Sequence, residues 1–276
     1  MIKNSQARYC VFGNPIEHSL SPRIHGEFAK QCGQPLEYSK QKIELEAFKA
    51  EVKQFFLDGG KGLNITVPFK QEAWELAEVL SERAQLAGAV NTLYEDEQNR
   101  LCGDNTDGAG LVSDILLRLG WQLKNKKILM LGAGGAARGV MLPLLETQPE
   151  LMVVANRTPE KAETLASIFG QYGNVQASEY QDLDEQKFDL IINATSASLN
   201  SELPPIPRTV LHSEVAVYDM VYAKTLTPFL QWCADNAVTQ LADGLGMLVG
   251  QAAESFFIWR GVRPDVDNVI ALLRTP

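Results

Sequence analysis

The chain has few of the residues that build metal sites and disulfide frameworks. Its 276 residues include three histidines and four cysteines. His18, His25 and His212 have no cysteine or carboxylate partners at metal-ligand spacing, so no metal site is expected. Cys10, Cys32, Cys102 and Cys233 are widely spread, the pattern of free thiols in a cytoplasmic protein. No apolar run approaches the roughly 18 residues that span a bilayer, and Met1–Gln6 is too polar for a signal peptide. A basic excess is also missing. The net charge of −9 argues against nucleic-acid and anionic-membrane partners, because both need a broad basic face. An anionic ligand must therefore be held by a local pocket. The chain shows no internal repeat, no low-complexity tract and no hydrophobic stripe dedicated to assembly; a monomer or a homodimer is expected.

The sequence does have short β-rich runs alternating with helical patterns, which predicts α/β layering. The length favours two domains. The first is expected over 1–106. Its strands are placed at 8–13, 36–42, 62–66, 90–94 and 100–103. A helix should start at Ser21-Pro22, with Ser21 as N-cap. Residues 46–57 read as a helix, and Trp74, Leu76, Ala77 and Leu80 are spaced for another beyond Pro68. A long helix opens at Thr106-Asp107-Gly108, and the domain crossing is placed on it. The second domain, 107–243, has doubly wound rhythm, with strands at 127–131, 151–155, 189–193, 215–219 and 238–241. Helical segments at 245–259 and 266–273 lie in the last part, 244–276, which is expected to pack back on the first domain.

Lys127–Leu131 reads as a buried strand running directly into Gly132-Ala133-Gly134-Gly135-Ala136-Ala137 and then a helix. That context is the one a dinucleotide fingerprint requires. Glycines permit the tight turn and close backbone approach, and the helix N-terminus faces a pyrophosphate. About 24 residues after Gly132, the next strand ends at Asn156-Arg157-Thr158, where an acid would select NAD and an arginine accommodates the 2′-phosphate of NADP. No acid is present. Arg157, Thr158 and Lys161 can meet a phosphate, so NADP is the expected cofactor; a solvated Arg and Lys at a helix start is the plain alternative.

A redox cofactor needs a proton partner. Lys70 falls at the expected first turn of a helix, an electrostatically poor place for an ammonium, and an ammonium so placed gives up its proton more readily. Asp107 falls at a helix N-terminus that favours a carboxylate. On spacing alone, either residue serves equally well as a surface charge or a cap. Ser19 and Ser21 point the same way in an extended segment, although Ser21 as a simple cap explains it as well. Gln251 sits one helical turn after Met247, flanked by Gly244, Gly246 and Gly250.

Taken together, these motifs resemble the shikimate dehydrogenase family over essentially the whole chain. The matching segments are Gly13–His25, Asn64–Lys70, Gly88–Thr92, Gly103–Gly108, Asn156–Thr158, Tyr218–Tyr222 and Gly244–Gln251. The resemblance implies an N-terminal α/β substrate domain and a Rossmann-type NADP domain, and NADPH-dependent reduction of 3-dehydroshikimate to shikimate in chorismate and aromatic amino-acid biosynthesis. It assigns Ser19, Ser21, Thr66, Lys70, Asn91, Asp107, Tyr222 and Gln251 to the substrate, with Lys70 as the acid–base residue paired to Asp107. It assigns Gly132, Ala133, Gly134, Gly135 and Ala136 to the pyrophosphate, and Asn156, Arg157, Thr158 and Lys161 to the adenosine 2′-phosphate. Met220 and Gly244 would lie near the nicotinamide, and Glu82 matches a position sometimes given to the cofactor. One departure stands out: the family commonly reads His-Asn where this chain has His25-Gly26. Two other readings remain, an NAD-dependent quinate/shikimate dehydrogenase and a non-catalytic ligand sensor on the same scaffold.

Overall fold

A computed structural model describes residues 6–200 and 202–275. Among them the chain forms two six-stranded sheets and divides into two compact units. One comprises residues up to Gly110 together with those from Val249 onward, and the other Leu111–Leu248. No helix of the described residues is long and apolar enough to cross a membrane.

The first unit is built on β1 (Ala7–Gly13), β2 (Leu36–Lys42), β3 (Gly62–Ile65), β4 (Val79–Leu80), β5 (Thr92–Glu95) and β6 (Leu101–Asp104). Their order is β2-β1-β3-β5-β6-β4. The pairs of β1 with β2 and β3 are parallel, whereas β5 runs antiparallel to both β3 and β6. The edge strand β2 reads Leu-Glu-Tyr-Ser-Lys-Gln-Lys and is largely exposed, a composition that discourages edge-to-edge pairing. The helices are α1 (Ser21–Gln31), α2 (Phe48–Leu57), α3 (Lys70–Leu76), α4 (Glu82–Ala87), the start of α5 (Asp107–Ser113), most of α9 (Leu245–Arg260) and α10 (Asp267–Arg274). Phe12, Phe48, Leu63, Ile65, Phe69 and Leu93 form much of the core, each worth about 1.5–3 kcal/mol on full burial. The indole of Trp259 covers Gly62 so closely that a Cβ there would come within 2.5 Å of it. This contact seats the C-terminal half of α9 on the sheet.

Two local expectations need correcting. Ser21 is the first residue of α1 and not its cap; Leu20 holds that position, and it makes no side-chain capping bond. The Ser19 hydroxyl instead accepts the Ser21 backbone N–H at 3.3 Å. The helix beyond Pro68 stops at Leu76, and Leu80 belongs to β4. Pairing of Val79 and Leu80 with Cys102 and Gly103 gives these residues ladder bonds that override their helical spacing.

The second unit carries β7 (Lys127–Leu131), β8 (Leu151–Ala155), β9 (Val175–Ser178), β10 (Leu190–Asn193), β11 (Ala216–Asp219) and β12 (Gln240–Asp243). The sheet is parallel, in the order β12-β11-β10-β7-β8-β9. Helices α6 (Gly135–Glu146), α7 (Pro159–Phe169) and α8 (Pro228–Asp235) connect its strands. Central strands of such a sheet are covered on both faces, and accordingly Ile128–Leu131 and Met152–Ala155 are fully buried or nearly so. The order reverses between β7 and β10, where the chemistry of doubly wound sheets is usually placed.

Candidate active site

In the first unit, the ends of β3, β5 and β6 and the starts of α3 and α5 bring a group of polar side chains together. Lys70 opens α3 and donates from Nζ to Asp107 Oδ2 at 2.6 Å. Asp107 opens α5, where its carboxylate suits the helix dipole, and the Asn105 side chain accepts its backbone N–H at 3.1 Å. Asn91 then fixes the carboxylate from the other side. Its Nδ2 donates to Asp107 Oδ1 at 2.8 Å and to Thr106 Oγ1 at 2.9 Å. Gln251 Oε1 lies 3.3 Å from the same nitrogen. The Lys70 and Asp107 side chains remain 30% and 16% exposed, so the pair is held in place yet open to a small molecule.

Below this pair lies a polar layer that the sequence reading missed. Asn64 is 6% exposed. It donates from Nδ2 to the Asn91 carbonyl and to Ser255 Oγ, both at 3.1 Å, and accepts from Tyr38 Oη at 2.6 Å. Ser255 Oγ lies 2.8 Å from Thr92 Oγ1. Buried polar groups of this kind have to be paired, and here each partner comes from a different element. Spacing offered two hints. Asn64 shares a strand face with Thr66, and Ser255 follows Gln251 by one helical turn.

Asp104 backs the turn that carries Thr106 and Asp107. Arg83 clamps its carboxylate with two bonds of 2.7 and 2.8 Å, and the Asn105 backbone N–H donates to it at 2.7 Å. Ser19 and Ser21 sit at the start of α1, where Ser21 is buried. Thr66 follows β3, its methyl against Gly13. Glu82 is an exposed residue opening α4 and takes no part in this cluster. Gly26 has open space where a side chain would stand, so the departure from His-Asn creates no packing defect.

In the second unit, Gly132 adopts φ +100°, and a Cβ there would meet Thr195 and the Ala194 backbone at 3.1–3.3 Å. Glycine is required on both counts. A Cβ at Gly134 or Gly135 would meet nothing within 4 Å, and α6 begins at Gly135 with no side-chain cap. The first-turn N–H groups of a helix have no partner within it, and the backbone at Gly134 and Gly135 leaves room for a ligand to approach. Beside the end of β8, a cavity of about 430 Å³ is lined by Asn156, Arg157, Tyr180, Ile206 and Pro207, among others. Asn156 shapes its rim by donating to the Thr158 carbonyl at 2.9 Å. Thr158 is the N-cap of α7 but makes no side-chain capping bond, and exposed Lys161 follows in the first turn. Tyr180, Ile206 and Pro207 had no sequence signal, because they reach the cavity from distant loops.

Asp219 organises the other loops at this edge of the sheet. It is fully buried, and burial raises its carboxyl above the ordinary value despite four hydrogen bonds. Those donors are Asn193 Nδ2 at 3.1 Å, the Val221 N–H at 3.2 Å, Ser198 Oγ at 2.7 Å and Thr227 Oγ1 at 2.5 Å. Met220 and Gly244 come together next to it. A Cβ on Gly244 would lie 2.0 Å from the Met220 carbonyl oxygen, so only glycine fits. Tyr222 follows on the same loop and is 42% exposed.

Three family models tile the chain. The shikimate dehydrogenase substrate binding domain matches residues 11–93, shikimate / quinate 5-dehydrogenase matches 115–201, and the shikimate 5'-dehydrogenase C-terminal domain matches 244–274. A shikimate dehydrogenase (NADP(+)) of Nitrosospira multiformis is 53% identical over 267 residues, 97% of each chain. The crystal structure of an Ael1 enzyme from Pseudomonas putida is 49% identical, with TM-score 0.94 over 98% of this chain and 99% of that one. A Thermus thermophilus shikimate 5-dehydrogenase, solved in complex with NADP(H) and shikimate, is 34% identical, with TM-score 0.86 over 97% and 98% of the two chains. With near-complete coverage at this identity, and with the two-unit α/β architecture in common, the chain belongs to the shikimate dehydrogenase family.

Proposed function

We propose that the protein is an NADP-dependent shikimate dehydrogenase, interconverting 3-dehydroshikimate and shikimate on the route to chorismate and the aromatic amino acids. The observation that carries the reading is the Lys70–Asp107 pair, held at 2.6 Å on a hydroxyl- and amide-rich unit suited to a polyhydroxylated acid. The uncapped start of α6 and the cavity beside Arg157 fit a dinucleotide with an added phosphate. When bound, NADPH supplies the hydride that becomes the new C–H bond of the alcohol.

The chain's own residues handle the proton and the geometry. Lys70 gives its proton to the substrate oxygen as the carbonyl is reduced, and the neutral amine is then recharged from solvent. Asp107 orients the amine and accepts a substrate hydroxyl. Asn91 and Gln251 fix the remaining hydroxyls, while Ser19, Ser21 and Thr66 receive the carboxylate end. Holding donor and acceptor in one geometry lowers the barrier by several kcal/mol, within a limit of about 7–11 kcal/mol for such effects.

Following absorbance at the reduced-nicotinamide band with shikimate or quinate, and with NADP or NAD, tests the assignment. Turnover should be fastest with shikimate and NADP. Preference for quinate with NAD would replace this reading by the quinate one. Binding of shikimate without any turnover would make the protein a sensor, a role for which an intact Lys70–Asp107 pair has no use.

A further inference from the structure

We propose that Tyr38 is a positioning residue for the substrate side of this reaction, a phenol that holds the amide arm at Asn64. The inference rests on the functional reading above and deepens it.

Tyr38 lies on β2, paired in register with Tyr9 of β1. Its ring stacks on His25 at 4.2 Å with planes 6° apart. His25 is itself fully buried, and neither of its ring nitrogens has a hydrogen-bond partner. His25 thus offers a flat face and no competing polar bond. With the ring fixed, the phenol has one place to point. It donates to Asn64 Oδ1 at 2.6 Å.

The Asn91 carbonyl can only accept, so it fixes which way the Asn64 amide faces. Oδ1 is thereby turned to Tyr38, and the phenol supplies the proton that this buried oxygen needs. In the observed orientation Nδ2 reaches the Asn91 carbonyl and Ser255 Oγ. Ser255 passes the constraint on to Thr92 at 2.8 Å and Thr106 at 3.2 Å. Asn91 carries it to Asp107 at 2.8 Å and Thr106 at 2.9 Å. A single hydroxyl outside the reacting group therefore anchors the amide beneath the side chains that hold Asp107. Burial raises the Tyr38 phenol well above its ordinary value, so it stays a donor at working pH.

Tyr38→Phe keeps the stack and removes the hydroxyl. Steady-state kinetics with shikimate and NADP, read alongside the melting temperature, test the proposal. The expected result is a KM for shikimate raised at least fivefold and a lower kcat, with KM for NADP within twofold of wild type. A purely structural tyrosine would lower the melting temperature and leave both KM values unchanged. That result, or equal changes in both KM values, overturns the proposal. If Tyr38→Phe does not fold, Ser255→Ala interrupts the same relay and is read by the same criteria. Absence of shikimate turnover in the wild type would instead overturn the functional reading.

Discussion

Lys70 Nζ stands 2.6 Å from Asp107 Oδ2, while Asn91 holds the other carboxylate oxygen at 2.8 Å. The lysine is thereby aimed by a group that is itself aimed. Asp107→Asn keeps the shape and the Asn105 contact but removes the anion. The turnover number should fall about 100-fold or more, in the range that positioned acid–base groups contribute. Stopped-flow reduction of substrate compared with wild type gives the value, and a drop of less than threefold would show that the carboxylate is dispensable.

Arg157 lines the cavity at the end of β8. A guanidinium–phosphate contact is worth about 1.5–3 kcal/mol, roughly 10- to 150-fold in affinity. Arg157→Ala should weaken NADP by that factor and leave NAD nearly unchanged. Comparing KM for the two cofactors in wild type and variant checks it. Equal losses would place Arg157 away from the 2′-phosphate.

The cofactor side was more legible in sequence than the substrate side, for physical reasons. β7 and β8 have the expected bounds, because buried parallel strands read as unbroken apolar runs. β9, Val-Gln-Ala-Ser, is a half-exposed edge strand without that signal. α4 has only six residues, too few to show helical periodicity. Lys70, Asp107, Asn91 and Gln251 were identified through their motifs and do cluster. Tyr38 and Ser255 went unseen, since their roles exist only once β2 joins β3 through β1 in one sheet and α9 packs on it.

Gly246 lies against the buried Asp114 carboxylate, which receives the Tyr218 hydroxyl at 2.7 Å and the Arg118 side chain. A Cβ at Gly246 would come within 2.0 Å of Asp114. Gly246→Ala should therefore cost about 1–3 kcal/mol from overpacking, read as a lower urea midpoint. An unchanged midpoint would mean that the Asp114 site yields freely.

Burial pushes His25 down to about 3 from its ordinary 6.5, opposed by the nearby Asn64 side chain. Between those values the unfolded chain binds a proton at this position and the folded chain does not. Stability therefore falls as pH drops below about 6.5, by up to about 1.4 kcal/mol per unit. Between pH 7 and 4.5 the wild type should lose about 2.5 kcal/mol more than His25→Phe. Urea melts at the two pH values measure this. Parallel losses would show that His25 is protonated in the fold.

Lys70→Ala tests the central claim most directly. Single-turnover and steady-state rates with shikimate and NADP should show kcat reduced about 100- to 10,000-fold, with KM for shikimate changed far less. Near-normal kcat in a folded Lys70→Ala protein would contradict the account and remove Lys70 as the proton donor.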